Sequence, residues 1–131
     1  MLSKTIEDYC RLIDKLDSGE GVRSRRISEG LGLSKNTVAI TLQKLAKANF
    51  VKMQRYGRVR LAARGLKIAN AMNFKHRVLE VFLFSKLGIG QKEIHGEASV
   101  LEHAASDKMI KKLYIFMGKP PHDPHGRRIS K

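Results

Sequence analysis

The chain of 131 residues contains a single cysteine and no apolar run long enough to span a bilayer. One cysteine, Cys10, cannot form an internal disulfide, in agreement with a reducing compartment. Without a membrane-length segment or the hydrophobic block of a signal peptide, the protein is expected to be cytoplasmic and to make no membrane contact. It also lacks a Gly-rich phosphate loop and a nucleophile paired with a base. We therefore expect neither a metal-dependent hydrolase nor another enzyme, and no small organic ligand.

Acidic residues are scarce as well, with 12 Asp and Glu against 26 Lys and Arg. The imbalance is greatest in residues 22–60, where ten basic residues accompany one acid, Glu29. Such a block is a candidate footprint for a nucleic acid, although a solvated surface is the plainer alternative. Residues 1–21 and 76–107, by contrast, each carry three basic and five acidic side chains.

The first half of the chain has the pattern of a helix-turn-helix. Residues 4–16 have the apolar periodicity of a helix. A short helix is predicted from Ser24, as its N-cap, to Leu31, with Gly32 ending it. Ser34 then caps a longer helix with apolar residues at i, i+4 and i+7. A helix, a tight turn and a second helix in this order are typical of DNA-binding proteins.

Two short strands follow, from Phe50 to Gln54 and from Arg58 to Leu61, with a turn at Tyr56 and Gly57 between them. We interpret them as a hairpin wing. The sequence therefore predicts a winged helix-turn-helix DNA-binding domain over residues 1–62, with a small β-hairpin wing.

In such a domain the second helix enters the major groove and presents its N-terminal residues to base edges. The residues so predicted are Ser34, Lys35, Asn36, Thr37, Ile40 and Thr41. Basic side chains around them would contact phosphates without reading sequence. These are Arg23, Arg25, Arg26, Lys44, Arg55 and Arg58. Capping and plain solvent exposure are the alternative roles of the polar residues, and for Asn36 and Thr37 the surrounding charge favours contact with double-stranded DNA.

The second half is predicted to be helical, so the fold class is mainly α. Helices are expected over 63–87, over 91–105 and from Ser106 to Gly118. Their wide apolar faces exceed what a short chain can bury, which favours a homodimer. Residues 63–131 are thus predicted to form a helical metal-binding and dimerisation domain with a basic tail.

A divalent-metal site is indicated by histidine and carboxylate spacing. His95, Ser99, Glu102 and His103 fall at i, i+4, i+7 and i+8 and share one helical face. His76 and Glu80 form a second pair at i and i+4. Imidazole and carboxylate ligands suit Fe(II), Mn(II), Co(II), Ni(II) or Zn(II). Occupancy should fall as the pH drops toward about 6, because imidazole binds metal only when neutral. The alternative is that these residues form structural salt links.

The segment around His122, Asp123 and His125 contains three prolines and a glycine, which favour a structured turn over a separate metal loop. The basic residues 127–131 are expected to be disordered or to lie near DNA.

Several segments together resemble the family of iron- and manganese-dependent transcriptional repressors of the diphtheria toxin repressor and manganese transport regulator type. The resemblance covers essentially the whole chain. The segments that carry it are Ile6–Tyr9, Leu31–Ser34, Lys75–Glu80, His95–Asp107 and His122–Gly126.

The resemblance implies two metal sites. One, usually called ancillary, would use His76, Glu80 and His95. The other, the primary regulatory site, would use Asp8, Ser99, Glu102 and His103. Because Asp8 lies on the first helix beside the DNA-binding block, metal would bridge the two domains and favour the operator-binding dimer. The protein is thereby expected to repress genes of metal-ion homeostasis, with Fe(II) or Mn(II) as the cofactor.

This chain departs from the family at two positions. Ser99 stands where iron-type members have Cys and manganese-type members have Glu. Arg11 stands where the manganese type has a carboxylate, which argues against that type's paired-metal cluster. Many members also carry a C-terminal barrel domain, and the sequence is expected to represent a short form without it. The competing hypothesis is a winged-helix protein that binds DNA constitutively and uses its His and Glu residues structurally.

Overall fold

The structure is a computed structural model that describes residues 3–129. It divides into two compact units, Met1–Asn70 and Ala71–Lys131, and the division falls within one long helix. Over the described residues the elements are α1 (Lys4–Leu16), β1 (Val22–Arg23), α2 (Ser24–Leu31), α3 (Lys35–Lys47), β2 (Val51–Met53), β3 (Arg58–Leu61), α4 (Ala63–Ser85), α5 (Ile94–Leu101) and α6 (Asp107–Phe116). The predicted class, a mainly α fold with a winged helix-turn-helix followed by a helical domain, is confirmed.

Capping residues define the helices of the first unit. The Ser34 side chain accepts a hydrogen bond from the backbone N–H of Thr37 at 3.1 Å and begins α3, as the sequence predicts. Gly32, with φ 67°, ends α2 in the left-handed conformation that glycine adopts without strain. The expectation that Ser24 caps α2 is wrong. Arg23 is the N-cap, because it pairs with Arg58 in the sheet and the helix begins at the next residue.

The wing is a three-stranded antiparallel sheet in the order β1-β3-β2. Strands β2 and β3 form the predicted hairpin, with Val51 opposite Leu61 and Met53 opposite Val59. Two consecutive residues of the turn have positive φ, Tyr56 at 62° and Gly57 at 69°. Strand β1 was not predicted, because two residues are too few to show the alternation of apolar and polar residues that indicates a strand. The core beneath the sheet contains Tyr9, Cys10, Ile13, Val22, Ile27, Val38, Leu42, Leu45, Phe50, Val51, Val59 and Ala69.

The second unit contains the C-terminal part of α4 with α5 and α6. Its buried core consists of Val78, Leu79, Leu83, Ile94, Ala98, Ile110 and Ile129. Ile129 is 5% exposed, so the expectation of a disordered tail is wrong for residues 127–129, while the alternative, a tail that lies near DNA, stays a prediction. The backbone N–H of Ile129 also donates to the carbonyl of Pro121. The rest of that prediction, on Ser130 and Lys131, lies outside the described residues.

Helix α5 is shorter than expected, with turns rather than helix at residues 91–93 and 102–104. Leu101, the last residue of α5, is 40% exposed. None of the helices in the part of the chain described has the length and hydropathy required to cross a membrane.

Candidate metal centre and basic surface

Three predicted ligands converge inside the second unit. His76 and Glu80 lie one turn apart on α4, and His95 reaches them from α5. The Nε2 atom of His76 is 3.0 Å from Oε2 of Glu80 and 3.1 Å from Nδ1 of His95. Nδ1 of His95 is 3.5 Å from the same Glu80 oxygen. Glu80 is fully buried, whereas the His95 side chain is 63% exposed, which leaves a route from solvent.

The spacing of these atoms fits a metal ion. Ligand bonds of about 2.0–2.2 Å place neighbouring donor atoms on one ion about 3.0–3.5 Å apart. The three observed separations, 3.0, 3.1 and 3.5 Å, fall in that range. Two imidazole nitrogens and a buried carboxylate oxygen at such distances require a cation or protons among them. A divalent ion satisfies all three atoms at once.

Glu102 holds the other side of the His76 ring. Its Oε1 is 2.5 Å from Nδ1 of His76, and both side chains are buried. A carboxylate there fixes the proton on Nδ1 and turns the lone pair of Nε2 toward Glu80 and His95. His76 therefore links Glu102 to the cluster. Nε2 of His103 lies 3.7 Å from Oε2 of Glu102.

Ser99 has a backbone contact. Its hydroxyl donates to the carbonyl oxygen of His95 at 2.8 Å, a common i to i−4 contact within a helix. Two oxygen lone pairs remain on the hydroxyl after this donation.

Two residues beyond the predicted ligand set lie beside Glu80. Asp123 and His125, in the loop after α6, form a second group of possible metal ligands with Glu80. Nδ1 of His125 is 3.3 Å from Oε1 of Glu80, the carboxylate oxygen that faces away from His76. The sequence predicted a structured turn here, and the turn is present, since Asp123 Oδ1 accepts the backbone N–H of His125 and of Arg127. His122 is exposed and belongs to neither group.

Asp8 and Cys10 belong to the first unit. Oδ2 of Asp8 lies 2.9 Å from Nζ of Lys4, one turn earlier on α1. Cys10 is fully buried in the core, and burial, with the charge of Glu7 as a smaller cause, raises the pKa of its thiol to about 11. Only the thiolate binds metal well, so Cys10 is a packing residue.

Helix α3 presents the predicted base-reading residues on its exposed side. Lys35, Asn36 and Thr37 are exposed at its N-terminus, and Ile40 is 50% exposed, which is unusual for isoleucine. Val38, Leu42 and Leu45 anchor the opposite side of the helix in the core. The Thr41 hydroxyl donates to the carbonyl of Thr37 at 2.9 Å.

The predicted phosphate-contacting residues lie on β1, α2, α3 and the wing of the first unit. Arg23, Arg25, Arg26, Lys44 and Arg55 are exposed, and Arg58 is half-buried. Nη1 of Arg58 lies 3.4 Å from the carbonyl oxygen of Gly21, so this guanidinium also supports the sheet. A helix with exposed polar side chains, in a unit with many exposed cations, is suited to the major groove of DNA.

Comparisons with known proteins cover nearly the whole chain. The family model for the N-terminal DNA-binding domain of iron-dependent repressors matches residues 1–59. The model for the metal-binding and dimerisation domain of the same repressors matches residues 62–131.

Individual relatives agree with the family models. An uncharacterised helix-turn-helix transcriptional regulator of Methanocaldococcus jannaschii is 29% identical over 120 residues, which are 90% of this chain and 96% of the relative. The iron-dependent repressor IdeR of Mycobacterium tuberculosis is 31% identical over 130 residues, 98% of this chain and 56% of IdeR. This chain thus spans little more than half of that repressor.

A solved structure titled as a manganese-dependent transcriptional repressor in complex with manganese superposes with a TM-score of 0.85. It is 36% identical, and the match covers 96% of this chain and 58% of that one. Since these relatives are transcriptional regulators, the prediction that the protein is not an enzyme is confirmed. The chain therefore belongs to the iron-dependent repressor family of metal-dependent, DNA-binding transcriptional regulators.

Proposed function

We propose that this protein is a homodimeric repressor of genes for metal-ion homeostasis that binds its operator when Fe(II) or Mn(II) is bound. The observation that carries the proposal is the convergence of His76, Glu80 and His95 on a point inside the second unit. Co(II), Ni(II) and Zn(II) suit the same ligands and would act as substitutes. IdeR is named for iron and the solved relative for manganese, so both remain candidates.

The first proposed site consists of His76, Glu80 and His95. Its imidazole and carboxylate donors are those that first-row divalent ions accept. The hydrogen bond from His76 to Glu102 supports this role, since metal-binding histidines usually donate their second N–H to a carboxylate.

The second proposed site, the regulatory one, consists of Asp8, Ser99, Glu102 and His103. This proposal rests on the family resemblance. Because Glu102 of this site is in close contact with His76 of the first site, occupancy of one site should affect the other. Metal would act on DNA binding by binding more tightly to one arrangement of the domains, taken as residues 1–62 and 63–131, than to the others.

The proposed interface with an operator is the exposed side of α3. Ser34 caps the N-terminus of this helix. The residues that would contact base edges are Lys35, Asn36, Thr37, Ile40 and Thr41. Arg23, Arg25, Arg26, Lys44, Arg55 and Arg58 would contact phosphates and set the salt dependence of binding.

Dimerisation is supported by large apolar side chains that the second unit leaves exposed. Val100 and Phe116 are 74% and 71% exposed, and Leu87 and Ile115 exceed half. A second copy would cover such residues, and a two-fold dimer would bind a palindromic operator with half-sites one helical turn apart.

The alternative, constitutive DNA binding, is favoured by one observation. The two ring nitrogens of His76 lie 3.0 Å from a Glu80 oxygen and 2.5 Å from a Glu102 oxygen, which are the contacts of a structural network. The two proposals differ in their response to metal removal.

Fluorescence anisotropy with duplexes enriched from a random pool by the metal-loaded protein tests this difference. We expect binding to weaken when a chelator removes the metal and to recover on addition of Fe(II) or Mn(II). Equal affinity in chelator and in metal would support constitutive binding and overturn the proposed repressor mechanism.

A further inference from the structure

Lys75 carries a charge in the interior of the second unit. The residue is 8% exposed and lies on α4, one position before the proposed ligand His76. Burial of an ammonium group costs free energy unless acceptors surround it, and lysine is almost never fully buried without a partner. Two acceptors are present, and both lie at the junction between α5 and α6.

The stronger acceptor of Lys75 is a backbone carbonyl. Nζ of Lys75 donates to the carbonyl oxygen of Ala105 at 2.6 Å, across 30 positions of the chain. The second acceptor, Oδ1 of Asp107, lies 3.4 Å away on a side chain that is 81% exposed. Ion pairs with an exposed partner contribute little, because solvent screens them. The contact with Ala105 therefore fixes the ammonium group, and it ties α4 to the turn between α5 and α6.

Ala105 closes the turn that carries Glu102. The backbone N–H groups of Ala104 and Ala105 both donate to the carbonyl of Leu101, at 3.1 and 3.0 Å. The N–H of Glu102 donates to the carbonyl of Ala98 at 2.9 Å, which joins the turn to α5. These bonds leave the turn little freedom. A contact that holds Ala105 in place therefore also holds the backbone of Glu102.

Glu102 in turn contacts the ring of His76. Its Oε1 lies 2.5 Å from Nδ1 of His76, and Glu102 is 1% exposed. Two adjacent residues of α4, Lys75 and His76, thus contact the same turn at two points, Ala105 and Glu102. The contact of Glu102 orients a proposed metal ligand, and the contact of Lys75 fixes the distance between helix and turn on which that orientation depends.

We propose that Lys75 is a positioning residue of the metal centre, which holds the turn 102–105 against α4 so that Glu102 can orient His76. Lys75 acts through Glu102 and binds no metal itself, since an ammonium group has no lone pair. Because the proposed regulatory site also uses Glu102, the same contact would set the geometry of both sites. The inference rests on the proposed function for its effect on metal binding, whereas its effect on His76 is measurable without metal.

Four variants separate the roles of the ammonium group. Lys75→Met removes the charge and keeps an apolar side chain of similar length, and Lys75→Arg keeps a donor. Asp107→Asn removes only the charge of the exposed partner. Lys111→Met, on the exposed side of α6, is the matched control. Far-UV circular dichroism and thermal melting give the temperature range in which each variant is folded.

The first measurement is made on metal-free protein by proton NMR. A proton held in a short hydrogen bond between a carboxylate and an imidazole nitrogen resonates far downfield, and its absence in Glu102→Gln assigns the signal. We expect this resonance in wild type, Lys75→Arg, Asp107→Asn and Lys111→Met. In Lys75→Met it should be lost by exchange with water. A merely stabilising role of Lys75 would lower the melting temperature and leave the resonance of the folded protein in place.

The second measurement is the affinity of the full chain for Mn(II), by isothermal titration. Loss of a group that supports a metal-binding histidine lowers affinity by about 10- to 100-fold, and since Lys75 acts through such a group, we expect a loss of about tenfold in Lys75→Met. Lys75→Arg should recover most of this loss. Asp107→Asn and Lys111→Met should bind Mn(II) as wild type does.

The positioning role and the proposed function fail in different ways. An unchanged resonance or an unchanged affinity in folded Lys75→Met would overturn the positioning role, and so would an equal loss in Asp107→Asn. If Lys75→Met does not fold, Lys75→Gln, whose side chain is one bond shorter, takes its place with the same expected losses. Absence of Mn(II) binding by wild type would contradict the proposed function instead, and the resonance would still decide the role of Lys75.

Discussion

The two units of the molecule use polar side chains in opposite ways. In the first unit the cations lie outside an apolar core, and the charged residues proposed to contact DNA are exposed or half-buried. In the second unit His76, Glu80 and Glu102 are buried, and the His76 ring contacts both carboxylates. Exposed cations act through their summed field and tolerate small displacements. Buried ligand atoms bind only at positions fixed to tenths of an ångström. The loss of one buried ligand should therefore weaken metal binding more than the loss of one exposed cation weakens DNA binding.

The largest effect is expected from Glu80→Gln, which removes the buried carboxylate of the site proposed for His76, Glu80 and His95. Loss of a partner that only supports a ligand lowers metal affinity by about 10- to 100-fold, and loss of the ligand itself should cost at least about 100-fold. Isothermal titration with Mn(II) measures this. Glu93→Gln, an exposed acid of the same unit, is the control. A loss below about tenfold would mean that burial of Glu80 serves packing alone.

Asp17 tests a partly buried charge of the first unit. It accepts the N–H groups of Gly19 at 2.8 Å and Gly21 at 2.9 Å, and Arg60 lies 3.4 Å away. Partial burial opposes ionisation, but these two N–H groups and Arg60 together lower the pKa of Asp17. Because hydrogen bonds to charged groups contribute about 1.5–3 kcal/mol, Asp17→Ala should lower the free energy of unfolding by about that amount at pH 7.

The sign of the pH dependence follows from the lowered pKa. The stabilisation by Asp17 is fully present above the unfolded-state pKa of about 3.9 and is lost as the pH falls through the lower folded-state value. Urea unfolding of wild type and Asp17→Ala should therefore converge below about pH 4. Glu20→Ala, exposed in the same loop, should differ little from wild type at any pH. A constant difference down to pH 2 would contradict the role of the charge.

Asn36→Ala tests whether α3 reads sequence. An asparagine that pairs with adenine contributes about 1–3 kcal/mol of discrimination, so the variant should lose preference at a single base pair and keep it elsewhere. Competition binding with operator variants measures the preference. Asn70→Ala, an exposed residue outside α3, is the control. An unchanged ranking of the operator variants would mean that Asn36 faces solvent and contacts no base.

The smallest effect is expected from Arg55→Gln in the wing. A phosphate contact contributes about 0.9 to the slope of log K against log salt, and its loss should weaken all sequences alike. Anisotropy titrations at several salt concentrations measure the slope, with Lys15→Gln on α1 as the control. A sequence-dependent loss would mean that the wing reads bases.

The sequence predicted most of the fold because its signals are local. The bounds of α1 match the prediction, and Gly32 and Ser34 end and begin helices as their conformational preferences require. The error at Ser24 and the missing β1 have one cause. Arg23 pairs with Arg58, 35 positions later, and no local pattern reports such pairing.

The candidate metal centre was predictable only where helices supply its ligands. His76 and Glu80 share a helical face by their spacing. His95 was predicted as a ligand from its own helical spacing, and the family resemblance grouped it with this pair. Asp123 and His125 were considered as a separate metal loop and assigned to a structured turn, because no local pattern reports that the loop lies beside Glu80, more than forty positions earlier. A hint was available in their own segment, where prolines and a glycine indicate a fixed turn that can hold side chains in place.

The most direct test of the account compares wild type with a variant carrying Glu102→Ala and His103→Ala. The measured quantity is the change in operator affinity on addition of Mn(II), by fluorescence anisotropy, with circular dichroism to verify folding. We expect a large gain in affinity for wild type and none for the variant. An equal gain in both proteins would contradict the claim that these residues of the second unit carry the metal signal to DNA.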